Sequence, residues 1–182
     1  HRIAALDANF RKFFAAVELN SKGRYRIIFN IAAQEQRDYV VSLRIESPDG
    51  EYINMPPEVQ DVFRDLIANA RKYTPPGGVI TAGLREQDGM LRLVVEDNGM
   101  GIPEQEIEKV VEFGYRATNA RSRPTKGGGF GLTKAYLVTR SNAGRFFIRS
   151  TLGAGTRVTI EIPVPDGVRG EVAKPFQQGD GV

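Results

Sequence analysis

The chain has 182 residues, of which 41% are hydrophobic and 26% charged, with a net charge of +3 and no cysteine. Those proportions describe one globular domain with an ordinary core, and they exclude a disulfide framework, a cysteine-based zinc site and a thiol nucleophile. No apolar stretch approaches the ~18 residues needed to span a membrane, and the opening HRIAALDANF lacks the apolar centre of a signal peptide.

Residues 2–19 are predicted to form an amphipathic helix, with Ile3, Leu6, Phe10, Phe13, Phe14 and Val17 near helical spacing. RYRIIFNI and DYVVSLRIE are predicted strands, rich in β-branched and aromatic residues. In PPEVQDVFRDLIANARKYTPPGG, Val59, Val62, Phe63, Leu66, Ile67 and Ala70 make one apolar helix face. Prolines open that helix and TPPGG stops it. VITAGLRE and MLRLVVED are strands around the turn Gln87-Asp88-Gly89, and PEQEIEKVVEF is a short helix with proline in its first turn. Residues 114–129 form a basic, glycine-rich loop, FGLTKAYLVTR a helix starting out of glycines, and GRFFIRSTLGAGTRVTIEIPV two strands. The tail from Pro165 has no periodicity and is expected to be disordered. This order suits an α+β fold: two layers, a mixed and mostly antiparallel sheet, with helices on one face. The expected organisation is an N-terminal helix over 1–22, a catalytic unit over 23–163 and a tail over 164–182. Beginning at His1 rather than Met, the chain reads as a piece of something longer.

Three stretches carry chemistry. VVEDNGMGIP ends an apolar run on the carboxylate Asp97 and follows it with Gly99 and Gly101. By itself this is a strand running into a hairpin turn. In KGGGFGLTKAYLVTR, glycines precede a helix, and their exposed N–H groups and the helix N-terminus suit a phosphate; a flexible hinge is the alternative. On the long helix Asp65, Asn69 and Lys72 lie at i, i+4 and i+7, one polar stripe beside the apolar face. That stripe suits Mg2+ with phosphate oxygens, since Mg2+ wants hard oxygens and keeps several waters; it also suits a solvated flank. From Gly114 to Ile160 there are nine Lys and Arg residues and no Asp or Glu, which argues for an anionic ligand. Aromatic residues do not interleave with these cations and no helix-turn-helix or zinc-finger spacing occurs, so nucleic acid is not the expected partner.

Taken together, these stretches resemble the conserved boxes of sensor histidine kinases. DLIANARKYTPPGG resembles the N-box and EDNGMGIP the first glycine box. FGYRATNARSRPTKGGGFGL resembles the phenylalanine box, ATP lid and second glycine box, and STLGAGTRVTIEIP the closing Gly-x-Gly-Thr box. Order and spacing both match over roughly residues 25–163. The resemblance implies the Bergerat ATP-binding fold, shared with gyrase and a large heat-shock chaperone, with ATP and Mg2+ as ligands. It implies that Asp97 accepts a hydrogen bond from the adenine amino group, supported by Thr156. Gly99, Gly101 and Ile102 would lie along the base and Tyr73 beside it. Asn69 would hold Mg2+, with Asp65 and Lys72 completing the catalytic stripe. Arg116 and Lys126 would face the phosphates from a lid that closes on nucleotide. Gly127, Gly129, Phe130, Gly131 and Leu132 would make the phosphate-binding turn.

The implied activity is transfer of the terminal phosphoryl group of ATP to a histidine on a separate phosphoacceptor domain, with a response regulator downstream. A free-standing serine kinase of the anti-sigma type, or a nucleotide-gated interaction module, are the alternatives. The segment is expected in the cytoplasm with no membrane contact of its own, in a full-length protein open to membrane anchoring. Asp65 stands where such kinases usually carry Asn or Glu, so its role is either base or metal partner through water. His1 lacks the acidic residue and proline that flank an acceptor histidine and is not expected to be one.

Overall fold

The structure is a computed structural model that describes residues 1–121 and 129–164. Helix α1 (Ile3–Asn20) leads into the short strand β1 (Ile27–Ile28) and then β2 (Tyr39–Glu46). Helix α2 (Pro57–Tyr73) connects to β3 (Val79–Gln87) and β4 (Met90–Asp97). Helix α3 (Gly131–Ser141) precedes β5 (Arg145–Thr151) and β6 (Gly155–Pro163). Among the described residues the strands form one six-stranded sheet in the order β1-β2-β3-β4-β6-β5. The pairs β1/β2 and β2/β3 are parallel and the other three are antiparallel.

Alternation decides which face is covered. On β3 and β4, Ile80, Ala82, Leu84, Leu91, Leu93 and Val95 are buried, while Thr81, Arg85, Arg92 and Glu96 between them are exposed. The apolar face of α2, Val59 to Ala70 at helical spacing, packs on that inward row. Helix α1 buries Leu6, Phe10 and Phe14 in the same core, and Phe10 meets Phe63 edge-on at 4.9 Å. The result is the expected α+β arrangement, mixed and mostly antiparallel. No helix among the described residues is long and apolar enough to cross a membrane.

Two local expectations change. RYRIIFNI contributes only Ile27–Ile28 to the sheet, because the Asn30 side chain accepts the Ala32 N–H at 3.0 Å and turns Ile31–Ala33 into a short 3-10 segment. The first two strands pair in parallel. PEQEIEKVVEF is a short helix as expected, of the 3-10 type over Glu104–Val111. The chain after Asp97 also leaves the sheet instead of returning as a hairpin strand, and β4 receives β6 as its second neighbour. The hairpin lies at the other end of β4, where Asp88 and Gly89 both have positive φ (51° and 71°) and close the two-residue turn from β3. The tail from residue 165 lies outside the described residues.

Candidate functional site

The sheet brings the ends of β4 and the start of β6 together under the C-terminal half of α2. Asp97 is the last residue of β4 and pairs with Thr156 on β6. A cavity opens above them with about 770 Å³ of empty space, part of it open to solvent. Leu66, Val95, Val110, Leu132 and Val158 give it apolar walls, and Asp97, Thr156 and Asn69 are the polar groups converging on it. An apolar slot with a few polar groups is the general form of a site for a flat organic ligand.

Burial pushes the Asp97 carboxyl above its ordinary range, opposed by hydrogen bonds from the Gly99 and Thr156 backbone; Glu96 next door raises it further. The Gly99 N–H donates to Asp97 Oδ1 at 2.9 Å. The glycines after it are demanded by close backbone approach. Gly101 has φ +67°, and a Cβ there would lie 2.1 Å from the Thr151 carbonyl. A Cβ on Gly99 would lie 2.4 Å from the carbonyl of Tyr73. Gly101 and Ile102 line the cavity, whereas Gly99 packs behind it against the end of α2.

A second cleft shares Asn69 and Gly129 with the first. Its empty volume is about 620 Å³, and its walls are the α2 stripe Asp65, Asn69 and Lys72 and the residues Gly129, Phe130, Gly131 and Lys134. Helix α3 begins here with no side-chain cap and no acidic residue in its first turn. Its unpaired N–H groups and positive dipole end therefore face the cleft. Gly131 lies close to the neighbour across the gap: a Cβ would sit 2.7 Å from Asn69 Nδ2, so a side chain there would push the Asn69 amide aside.

Both ligand types fit these residues. The slot ends on a desolvated acceptor, Asp97, and a second acceptor in its lining, Asn119 Oδ1, is buried with no partner among the described residues. Among the described residues there is no group of three or more His, Cys, Asp or Glu that could cage a metal. The cleft offers isolated hard oxygens from Asn69 and Asp65, which suits an ion that keeps its waters and takes phosphate oxygens.

The two cavities gather thirteen of the sixteen residues singled out in the sequence. Asn69, Tyr73, Asp97, Gly101, Ile102, Arg116, Gly129, Leu132 and Thr156 meet the slot, and Asp65, Lys72, Phe130 and Gly131 the cleft. Gly99 stands behind, and Lys126 and Gly127 lie outside the described residues. Arg116 borders the apolar slot and donates to the Ala120 carbonyl at 2.8 Å.

Several supporting residues had no separate signal. Ser150 Oγ accepts the Ile102 N–H at 2.8 Å and contacts the Thr156 hydroxyl at 2.9 Å, tying both to one strand. Asn119 Nδ2 donates to the Gly101 carbonyl at 2.9 Å. Glu106 is buried and accepts the Thr118 N–H at 2.8 Å; with Arg121 and Tyr115 nearby, this bond holds its carboxyl below the usual range. That bond pins the segment entering the cavity wall. Lys134, known from sequence only as one cation in a basic run, pairs with Asp65 at 2.9 Å.

This fold and site define an ATPase-type nucleotide domain. Residues 54–166 match the family of Histidine kinase-, DNA gyrase B-, and HSP90-like ATPases, and the chain belongs to that family. Among curated proteins it is similar to the sensor histidine kinase WalK of Bacillus subtilis, 35% identical over 108 residues, covering 58% of this chain and 18% of WalK. It is also similar to the sensor histidine kinase RppB of Synechocystis, 38% identical over 100 residues, covering 55% of this chain and 22% of RppB. The chain thus spans about a fifth of the length of these relatives. Among solved structures, a mycobacterial sensor histidine kinase, MprB, superposes with a TM-score of 0.55 at 28% identity over 68% of this chain and 83% of that one. The nucleotide-free catalytic domain of the histidine kinase ThkA gives 0.59 at 18% identity over 90% and 93%, a likeness of fold.

Proposed function

We propose that this chain binds Mg-ATP along the slot and cleft and transfers the terminal phosphoryl group to a histidine on a separate phosphoacceptor domain, with a response regulator as the next acceptor. One observation carries the reading: the desolvated carboxylate of Asp97 lines one cavity and the uncapped start of α3 lines a neighbouring one, and the two share Asn69 and Gly129 in their walls. Adenine fits the apolar slot, with its amino group donating to Asp97, Thr156 supporting that contact and Tyr73, Gly101 and Ile102 bordering it. The phosphates lie against Gly129, Phe130, Gly131 and Leu132. Asn69 supplies a side-chain oxygen to Mg2+ and Lys72 a point charge. Arg116 and Lys126 add positive charge for the phosphates, Lys126 as read from the sequence. Bound Mg2+ supplies charge neutralisation for in-line phosphoryl transfer.

A histidine acceptor brings its own nitrogen lone pair, so transfer to it needs no strong base, whereas hydrolysis needs a group to take the proton of the attacking water. His1 is the single histidine of the chain, and its Nε2 lies 3.2 Å from the Met55 carbonyl, so the acceptor histidine is read as another one. The names of the relatives as sensor histidine kinases support the same reading.

The test is incubation with γ-labelled ATP, Mg2+ and the separately prepared acceptor hairpin of the full-length protein. Acid-labile label on the hairpin is the expected result. ATP binding with phosphate release to water and no label on the hairpin would contradict the kinase reading.

A further inference from the structure

Lys134 sits in an unusual place. It lies in the first turn of α3, where a cation is disfavoured by the helix dipole. No acidic residue of that turn and no cap compensates it. Its ammonium crosses instead to Asp65 on α2, at 2.9 Å, and the two side chains are 43% and 41% exposed. An ion pair this wet is weak and easily exchanged. The first turn of α3 and Lys134 together make a concentrated positive end to the cleft.

The order of residues along the cavity says which part of a ligand reaches it. Asp97 and Thr156 belong to the slot alone, Asn69 and Gly129 to both cavities, and Asp65 and Lys134 to the cleft alone. A nucleotide with its base on Asp97 therefore passes its inner phosphates over Asn69 and Gly129, and only its outermost phosphate extends to Lys134.

Resting on the Mg-ATP reading above, we propose that Lys134 is the residue that distinguishes a triphosphate from a diphosphate, and that Asp65 is its resting partner. On binding, the terminal phosphate replaces Asp65 at the Lys134 ammonium. Asp65, released, would be free to act with Asn69, which lies on the same helix stripe and lines the same cleft. The exchange involves no covalent step. Its consequence is specificity: ADP leaves the Asp65–Lys134 pair closed, and ATP opens it.

The test is calorimetric titration of the chain with ADP and with adenylyl imidodiphosphate, each with Mg2+. Lys134→Met is expected to weaken the triphosphate analogue about tenfold while ADP stays within about twofold. Lys134→Arg, which keeps the charge, should retain most of the preference. Asp65→Asn, titrated in EDTA so that no metal intervenes, should bind the analogue several-fold more tightly and ADP with little change. Equal losses for both nucleotides in Lys134→Met, or no loss for either, would overturn the proposal while leaving the ATP site standing. No binding of either nucleotide to the unaltered chain would overturn the ATP reading and this proposal with it.

Discussion

Asp97→Asn is expected to weaken ATP about ten- to a hundredfold while leaving the empty domain as stable as before, or more so. The two halves of this result have one cause. Asp97 is held in a desolvated slot, where burial opposes its ionisation. With adenine bound, the carboxylate gains a charge-assisted hydrogen bond, worth ~1.5–3 kcal/mol in such a setting. Without adenine, the buried charge is a cost. The sign follows from linkage. A carboxyl whose folded-state pKa lies above its unfolded value stabilises the fold below the unfolded pKa, about 3.9, and loses that contribution as pH rises through the folded value. Asparagine removes the ionised form and still accepts the Gly99 N–H through its carbonyl oxygen. At pH 7 the empty variant should therefore melt at or above the parent temperature, and the gap should close as pH falls toward 4. Melting curves between pH 4 and 8, with ATP titrations at pH 7, check both halves. A variant several degrees less stable at pH 7 with unaltered ATP affinity would make Asp97 a structural residue only.

Asn69→Ala should separate phosphate and metal binding from base binding. Asn69 is shared by slot and cleft, and its amide nitrogen lies beside Gly131. Loss of even an outer partner of a metal site costs roughly ten- to a hundredfold in metal affinity, and loss of a direct ligand should cost no less. Mg-ATP should weaken on the order of tenfold or more, and adenosine, which carries no phosphate for the metal to bridge, about twofold or less. Parallel titrations of the two ligands give the ratio. Equal weakening would mean that the amide only props the cavity open.

The parts of the site legible in the sequence are those where local chain geometry and chemistry coincide. The α2 stripe follows from helical spacing alone, and the glycines before α3 announce an exposed helix start. The turn after Asp97 announces itself through its glycines, and the fold adds a constraint that the sequence does not show: a Cβ on Gly99 or Gly101 would meet the carbonyls of Tyr73 and Thr151. What was not legible depends on contacts closed over long separations. Lys134 and Asp65 are 69 residues apart, and Ser150 and Ile102 are 48 apart.

The basic third of the chain shows the same limit. It was expected to serve an anionic ligand as one patch. The fold divides it, sending Lys134 and Arg116 to the cavities and Arg145 and Arg157 to the open face of the sheet. There they pair with Glu161 at 2.8 Å and Glu96 at 3.3 Å, one acid just past the C-terminal end of the acid-free stretch and the other upstream of its start. Strand register brought those charges together, and register is invisible to a count along the chain. The early end of β1 had a similar origin, in a side-chain turn at Asn30 that competes with the sheet.

The most direct measurement is a calorimetric series on the unaltered chain: adenosine, ADP and adenylyl imidodiphosphate, each with Mg2+ and with EDTA. The account requires adenosine to bind with an affinity indifferent to the metal, and the two phosphorylated ligands to bind more tightly when Mg2+ is present, the triphosphate gaining most. A chain that binds none of the three, or binds all of them equally well with and without Mg2+, would contradict it.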